Sequence, residues 1–282
     1  MTTPRRRKRF GQHFLSPAWT QKVIAAIAPA PGDVFLEIGP GRGALTLPLA
    51  ATGVPILAVE IDRDLVAALA PRVPPNVTLL IGDFLKTDVM PFLSGLEPQR
   101  PPGAAPNQPA RRFRVAGNVP YNLSTPIIFR LIDLQRRHRL FTDATIMLQR
   151  EVADRLLARP GTKAYGVLSV SAQMHTRITR LLDLPPGAFR PAPKVRSSVV
   201  RLEFGPPAAR VSDEALFDRL LRALFSARRK TLANALKQFD PTAPAVLALA
   251  KLDGRRRPET LQVTEIARLA ELFASVRRPP VL

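Results

Sequence analysis

A glycine-rich turn and two acidic residues stand where an adenosine-containing ligand could bind. Gly39–Ala44 (GPGRGA) follows a short apolar strand and precedes a helical segment, so its backbone can turn tightly and approach a ligand closely. Glu60 ends the next apolar strand, where a carboxylate can accept hydrogen bonds from both ribose hydroxyls, and Asp83 follows the third, where it can face the amine of an adenine ring. Glu37 either supports a residue that contacts the ligand, without contacting the ligand itself, or is a charged residue at a strand end that is exposed to solvent. The same spacing also fits the loose dinucleotide-binding fingerprint. These residues are therefore compatible with a site for S-adenosylmethionine, with a site for NAD and with a strand–helix turn that binds no ligand.

Four residues after the fourth apolar strand indicate chemistry on a nucleobase. Asn118, Val119, Pro120 and Tyr121 resemble the (N/D)-x-P-Y signature of amino methyltransferases that act on nucleobases. The lone pair of an adenine amino group is delocalised into the ring, which makes N6 a weak nucleophile. The Asn118 side-chain oxygen and the Val119 carbonyl can hold its N–H groups and favour a pyramidal nitrogen. Pro120 fixes the turn, and Tyr121 offers a face on which an extruded base can stack. Taken alone, these residues are also compatible with an ordinary turn.

Strand-like and helical segments alternate along most of the chain, which predicts a mostly parallel sheet covered by helices on both faces. The predicted strands are 33–39, 55–61, 77–81, 113–116, 145–148, 177–183 and 195–204. After Gly205 the pattern becomes helical only. We therefore expect an α/β fold, a Rossmann-like methyltransferase sheet followed by a small all-helical domain. The predicted division is a basic arm at 1–17, the Rossmann-like domain at 18–205 and the helical domain at 206–282, with a Pro-rich exposed loop at 94–112.

The composition indicates a polyanionic partner. Lys and Arg number 42 against 22 Asp and Glu, a formal net charge of +20, which favours nucleic acid first and an anionic membrane surface second. The chain has no cysteine and only 3 histidines, which excludes disulfides and a Cys nucleophile and disfavours a metal site. No stretch resembles a signal peptide or a membrane span, so we expect a cytoplasmic protein without metal and away from membranes.

Several segments in order resemble the small-subunit rRNA adenine dimethyltransferase family over nearly the whole chain. They are Arg7–Leu15, Leu36–Thr46, Glu60–Asp62, Gly82–Leu85, Gly117–Asn122, Leu148–Leu156, Phe189–Ser198 and Phe225–Leu236. The resemblance implies that S-adenosylmethionine is the methyl donor. It also implies that two methyl groups are added to N6 of each of two adjacent adenosines near the 3′ end of small-subunit rRNA, on the immature small ribosomal subunit.

The same resemblance implies roles for individual residues. Its cofactor contacts fall on His13, Leu15, Gly39, Glu60, Asp83 and Asn118. His13 departs from the Asn that is common in the family, although either side chain can form hydrogen bonds. Phe189 is either a second stacking face for the base or a buried loop anchor. The basic runs in the helical domain are expected to contact RNA phosphates through Arg228, Arg229, Lys230, Arg255, Arg256 and Arg257.

Three other interpretations remain open at this point. The related family that methylates large-subunit rRNA and confers macrolide resistance shares the fold and the N-x-P-Y motif, although Phe189–Ser198 and Phe225–Leu236 favour the small-subunit family. A non-catalytic ribosome-assembly factor could use the same RNA surface. The interpretation as an NAD-dependent enzyme explains neither the Asn118–Tyr121 motif nor the net positive charge of the chain. We expect a monomer.

Overall fold

The computed structural model describes residues 13–96 and 113–277 of the chain, which divides into two units. Their bounds are Met1–Ala153 with Arg177–Phe204 for the first unit and Asp154–Thr176 with Gly205–Leu282 for the second. The Arg5–Arg9 run and most of the predicted 94–112 loop lie outside the described residues. Within the described ranges, no helix is long and apolar enough to cross a membrane.

The strands of the first unit form a large sheet and a small ribbon. The strands are β1 (Phe14–Leu15), β2 (Phe35–Ile38), β3 (Ile56–Glu60), β4 (Val77–Ile81), β5 (Phe113–Asn118), β6 (Phe141–Gln149), β7 (Thr176–Leu184), β8 (Phe189–Arg190) and β9 (Ser197–Phe204). The large sheet has seven strands in the order β4-β3-β2-β5-β6-β9-β7, and β1 pairs with β8 in an antiparallel ribbon. This is the predicted α/β architecture, with strand ends shifted by a few residues.

The sheet is parallel across its centre. The pairs β4-β3, β3-β2, β2-β5 and β5-β6 are all parallel, whereas β9 runs antiparallel to β6. Every residue of β2 and β3 is buried, which is the pattern expected when helices cover both faces of a parallel sheet. Because parallel strands end at the same edge, the residues that follow β2, β3, β4 and β5 are brought together there.

Helices connect these strands and build the second unit. They are α1 (Pro17–Ile27), α2 (Thr46–Ala50), α3 (Arg63–Leu69), α4 (Met90–Leu93), α5 (Ser124–His138), α6 (Arg150–Leu156), α7 (Val167–His175), α8 (Glu214–Ser226), α9 (Leu232–Phe239), α10 (Ala243–Ala250) and α11 (Val263–Arg277). Asp62 caps α3 by accepting hydrogen bonds from the backbone N–H groups of Asp64 and Leu65. This cap defines the start of α3, shortly after the end of β3.

The boundary between the units differs from the one predicted from sequence. Residues 154–176, which the sequence division assigned to the Rossmann-like domain, belong to the helical unit. The physical reason is packing, since Tyr165, Val170 and Met174 are buried in the same apolar cluster as the inward faces of α8 to α11. At the other end, residues 13–17 are part of the first unit, because Phe14–Leu15 forms β1 and Pro17 begins α1.

A buried ionic network fixes the end of α1. Arg114 on β5 pairs with Asp33 at 2.8 Å and with Asp143 at 2.9 Å. The same guanidinium donates hydrogen bonds to the carbonyls of Ile27 and Ala28, at 2.7 and 3.0 Å. Each buried charge therefore has an opposite charge beside it, which burial requires. The network ties the carboxyl end of α1 to the central strands.

Candidate active site

A pocket opens at the edge where β2, β3 and β5 end. It is lined by all the residues proposed as cofactor contacts, His13, Leu15, Gly39, Glu60, Asp83 and Asn118. Val119, Pro120 and Tyr121 line the same pocket, whereas Phe189 is not among its lining residues. One pocket of the first unit thus brings together the candidate adenosine-binding residues and the N-x-P-Y motif.

The glycine turn forms one wall of this pocket. Gly39 and Gly41 have φ angles of 72° and 57°, in the left-handed region that favours glycine. A Cβ atom on Gly41 would lie 3.4 Å from the Phe14 ring, so β1 packs closely against the turn. The turn is therefore held between β1 on one side and Glu60 on the other.

Glu60 connects the end of β3 to the glycine turn. Its Oε2 accepts a hydrogen bond from the Gly41 amide and its Oε1 accepts one from the Asp62 amide, both at 3.0 Å. Each carboxylate oxygen can accept more than one hydrogen bond, so both remain able to accept from a diol. The Asp83 carboxyl is oriented in a similar way, because its Oδ1 accepts from the Leu85 amide at 3.0 Å. Two oriented carboxyls thus face one pocket.

The orientation of the Asn118 amide is set by β1. Its Nδ2 donates a hydrogen bond to the backbone carbonyl of His13, at 3.0 Å. Because the amide nitrogen is used in this way, Oδ1 is the side-chain atom left to accept a hydrogen bond from a ligand in the pocket. Sequence reasoning identified Asn118 as an acceptor, but it did not identify the His13 carbonyl as the group that orients it.

Tyr121 is held at both ends of its side chain. Its ring stacks on the His13 imidazole, with 5.6 Å between centroids and 24° between planes. Its hydroxyl shares a hydrogen bond with Ser197, with 2.6 Å between the two oxygens. Burial raises the pKa of Tyr121, and the bond to Ser197 opposes that shift. The phenol is therefore neutral and acts as a hydrogen-bonding group and an aromatic surface.

Glu37 lies inside the pocket. Its side chain is 1 % exposed, and its Oε2 has no hydrogen-bond partner among the described residues. The interpretation of Glu37 as a strand-end charge in solvent is therefore wrong. Burial raises the pKa of Glu37 from its ordinary value of 4.5 to about 8, with Glu60 adding to the shift and Thr46 opposing it.

Acidic side chains are prominent among the described residues that line the pocket. Glu37, Glu60 and Asp83 line it, and no Lys or Arg is among the described lining residues. The carboxylates of Glu60 and Asp83 favour a cationic ligand over an anionic one in this pocket.

Comparison with known proteins decides the family. The model of the ribosomal RNA adenine dimethylase family matches residues 4–275. The chain belongs to this family. A protein from Aromatoleum aromaticum named Ribosomal RNA small subunit methyltransferase A is 44 % identical over 280 residues, covering 98 % of this chain and 97 % of that protein. One of the same name from Xylella fastidiosa is 40 % identical over 267 residues, covering 94 % of each chain. The resemblance inferred from the sequence is confirmed.

Solved structures show that the fold is shared more widely. The crystal structure of a dimethyladenosine transferase from Plasmodium falciparum aligns with a TM-score of 0.69 at 24 % identity, covering 93 % of this chain and 98 % of that one. The 23S rRNA methyltransferase ErmE aligns with a TM-score of 0.63 at 22 % identity, covering 93 % of this chain and 99 % of that one. At these identities the likeness establishes the Rossmann-like methyltransferase fold.

In this member of the rRNA adenine dimethylase family, Phe189 is a buried anchor. Its side chain is 2 % exposed and belongs to the apolar core of the first unit. It lies on β8 opposite Leu15 of β1, so it holds the ribbon that carries His13. A stacking role would require the ring to leave this core when RNA binds, and that role stays a prediction.

The basic residues proposed to bind RNA fall into two kinds. Arg228, Arg255 and Arg256 are engaged within the protein, by the Thr162 carbonyl, by Asp253 and by Glu265 respectively. The side chains of Arg229, Lys230 and Arg257 are exposed, and none of the three makes a hydrogen bond or ion pair with another described residue. These three side chains keep their full donor capacity for phosphates.

The raised pKa of Glu37 makes the stability of the ligand-free protein depend on pH. The unfolded chain loses this proton near 4.5 and the folded one near 8. Between these values the folded state binds more protons, so its extra stability is full below pH 4.5 and is lost as the pH rises through about 8. We expect the free energy of unfolding to fall with pH more steeply in the wild type than in Glu37→Gln. Urea unfolding at about pH 5, 6, 7 and 8.5 measures this difference. Parallel pH profiles for the two proteins would contradict it.

Proposed function

We propose that this protein transfers methyl groups to N6 of adenosines in small-subunit rRNA, with S-adenosylmethionine as the donor. The observation that carries the proposal is the single pocket in which Glu60 and Asp83 meet the Asn118–Tyr121 motif. The residues proposed to bind the adenosine of the cofactor and those proposed to accept hydrogen bonds from the target amino group thus line the same pocket. The names of the curated relatives support the small subunit as the substrate.

The pocket fits S-adenosylmethionine better than NAD. Glu60 would hold the ribose hydroxyls and Asp83 the adenine amine, while the buried Glu37 carboxyl offers an unpartnered polar group to the ligand. When bound, S-adenosylmethionine supplies a methyl group on a positively charged sulfur, from which it is readily displaced. The carboxylates of Glu60 and Asp83 favour a donor with a cationic sulfur over an anionic dinucleotide.

The residues of the motif would prepare the adenine nitrogen. Asn118 Oδ1 and the Val119 carbonyl accept hydrogen bonds from the N6 hydrogens, which holds the nitrogen lone pair out of the ring and directs it at the methyl group. The same two dipoles stabilise the positive charge that develops on N6 during transfer. Tyr121 supports the base by stacking, and alignment of the two reactants in a closed pocket supplies much of the rate.

The finer features of the reaction follow from the family resemblance. We infer two methyl groups on each of two adjacent adenosines near the 3′ end, added on the immature subunit. The curated relatives at 44 % and 40 % identity are named for the small subunit, which favours the small-subunit substrate over the large-subunit one. A role as an assembly factor uses the same RNA surface and is compatible with catalysis. A monomeric state and a cytoplasmic location stay predictions from the sequence.

Calorimetric titration tests the cofactor part of the proposal. We expect S-adenosylmethionine to bind with one site per chain and to raise the unfolding temperature, since a ligand that binds only the folded state stabilises it. NAD at the same concentration should give no heat and no shift. Binding of NAD without binding of S-adenosylmethionine would remove the methyltransferase assignment.

RNA binding is expected to depend steeply on salt, because basic side chains release counterions from phosphates. Replacing Arg228, Arg229 and Lys230 with Ala should reduce the slope of log affinity against log salt by about two units. Two units rather than three are expected, since Arg228 already donates to the Thr162 carbonyl at 3.0 Å.

Filter binding of small-subunit rRNA across a salt series provides the measurement. Lys22→Ala with Arg63→Ala is the control, as it removes two exposed charges from the first unit outside the proposed RNA clusters. A triple variant with the wild-type slope would show that the Arg228–Lys230 cluster lies off the RNA path.

A further inference from the structure

Ser197 is a buried hydroxyl that contacts the proposed base-stacking residue from outside the pocket. It is 0 % exposed, and its Oγ lies 2.6 Å from the Tyr121 hydroxyl oxygen. It is not among the pocket-lining residues. It is the first residue of β9 and pairs with Gln149 at the end of β6, so its position is fixed by the sheet. Strand β9 thus places the Ser197 hydroxyl beside the hydroxyl end of the Tyr121 side chain.

The geometry gives this contact a specific consequence for Tyr121. The residue begins a short helical turn, Tyr121–Leu123, so its backbone is not part of the sheet. Its ring can swing about the Cα–Cβ bond unless its outer end is fixed. The His13 ring constrains one face, with 5.6 Å between centroids, while the hydroxyl contact constrains the direction in which the ring points. Side chains at functional sites are effective when a supporting group fixes their rotamer.

We propose that Ser197 is a positioning residue for methyl transfer, which acts by fixing the Tyr121 ring through the hydroxyl–hydroxyl hydrogen bond. The proposal rests on the function proposed above, in which Tyr121 supports the flipped adenine. Without the bond, Tyr121 samples orientations that do not support the base, and fewer bound adenines are aligned for attack. The effect falls on the rate of the chemical step, because neither Ser197 nor the Tyr121 hydroxyl is needed to hold the cofactor.

The next residue of the strand provides a matched control. Ser198 is also 0 % exposed, and its hydroxyl donates to Asp183 Oδ1 at 2.6 Å. Successive side chains of a strand point to opposite faces, so Ser198 points away from Tyr121. Ser198→Ala removes a buried hydroxyl and a hydrogen bond of the same length from the same strand, without touching Tyr121.

The experiment compares Ser197→Ala, Tyr121→Phe, the double variant and Ser198→Ala with the wild type. Single-turnover methyl transfer to unmethylated small ribosomal subunits is measured with cofactor and subunits saturating. Dissociation constants for S-adenosylmethionine and unfolding temperatures are measured alongside. We expect Ser197→Ala and Tyr121→Phe each to slow transfer by about three- to tenfold, the range set by the net contribution of one hydrogen bond. The double variant should be no slower than the slower single variant, because both substitutions remove the same bond.

The outcomes separate this proposal from the function on which it rests. Near-wild-type transfer by Ser198→Ala and unchanged cofactor affinity in all variants would support a positioning role. Multiplying losses in the double variant, or an equal loss in Ser198→Ala, would overturn it while leaving the proposed function intact. If Ser197→Ala does not fold, the transfer rate of Tyr121→Phe tests the proposal instead. A wild-type rate in Tyr121→Phe would overturn the proposal. A wild type that transfers no methyl group to the subunits would overturn both.

Discussion

Replacing Asn118 with Ala is expected to slow methyl transfer by about 10²–10³-fold at saturating cofactor. The substitution removes Oδ1, the acceptor that faces the pocket once Nδ2 has donated to the His13 carbonyl. An acceptor that is oriented before the reaction stabilises the positive charge on N6 without reorganising, so its loss falls mainly on the transition state. The same substitution frees the His13 carbonyl and should weaken S-adenosylmethionine binding to a smaller extent.

A nearby asparagine gives the control for this prediction. Asn122 is exposed and follows Tyr121 directly, so Asn122→Ala removes the same chemical group from the same loop. Single-turnover transfer and filter binding of RNA should be measured on both variants. We expect Asn118→Ala to bind RNA almost normally, since the proposed phosphate contacts lie in the second unit. Near-normal transfer by Asn118→Ala would remove Asn118 from the mechanism, whereas equal losses in both variants would indicate damage to the loop.

Replacing Glu60 with Ala is expected to weaken S-adenosylmethionine binding by about 10²-fold, because hydrogen bonds to a buried charged group are among the stronger ones. The carboxyl is 6 % exposed and accepts hydrogen bonds from the amides of Gly41 and Asp62. Its removal takes away the proposed ribose acceptors and leaves two backbone donors without partners. The glycine turn would lose its attachment to β3, so the wall of the pocket would also become less ordered.

A carboxylate close by in the chain serves as the control for Glu60. Asp64 is exposed on the first turn of α3, and its side chain is not part of the pocket lining. Calorimetry of S-adenosylmethionine with Glu60→Ala and Asp64→Asn measures the difference. Wild-type affinity in Glu60→Ala would contradict the assignment of Glu60 to the ribose, and a matching loss in Asp64→Asn would point to a general loss of negative charge.

Local signals made the first unit predictable from sequence. Apolar runs between turn residues gave the seven strands, and Gly39 and Gly41 marked a turn that needs positive φ angles. Glu60, Asp83 and Asn118 were identifiable because each lies where a parallel strand ends, and such ends share one edge of the sheet. These features depend on neighbours in the chain, so one sequence is sufficient to find them.

Contacts between distant parts of the chain were not predictable in the same way. The membership of Tyr165 in the helical core depends on packing against helices far along the sequence. The bond between Tyr121 and Ser197 joins residues 76 positions apart, and no periodicity marks Ser197 as different from Ser198. The burial of Phe189 follows from the pairing of β8 with β1, two strands of two residues each, which are too short to give a pattern.

The central claim, N6 dimethylation of adenosine in small-subunit rRNA, is tested most directly by mass spectrometry of the RNA product. Purified protein and S-adenosylmethionine are incubated with unmethylated small ribosomal subunits, and nuclease digests of the rRNA are analysed for modified adenosine. The account predicts N6,N6-dimethyladenosine in a fragment near the 3′ end, formed by the wild type and by Asn122→Ala and strongly reduced with Asn118→Ala. Absence of methylated adenosine from small-subunit rRNA, or its appearance in large-subunit rRNA instead, would contradict the account.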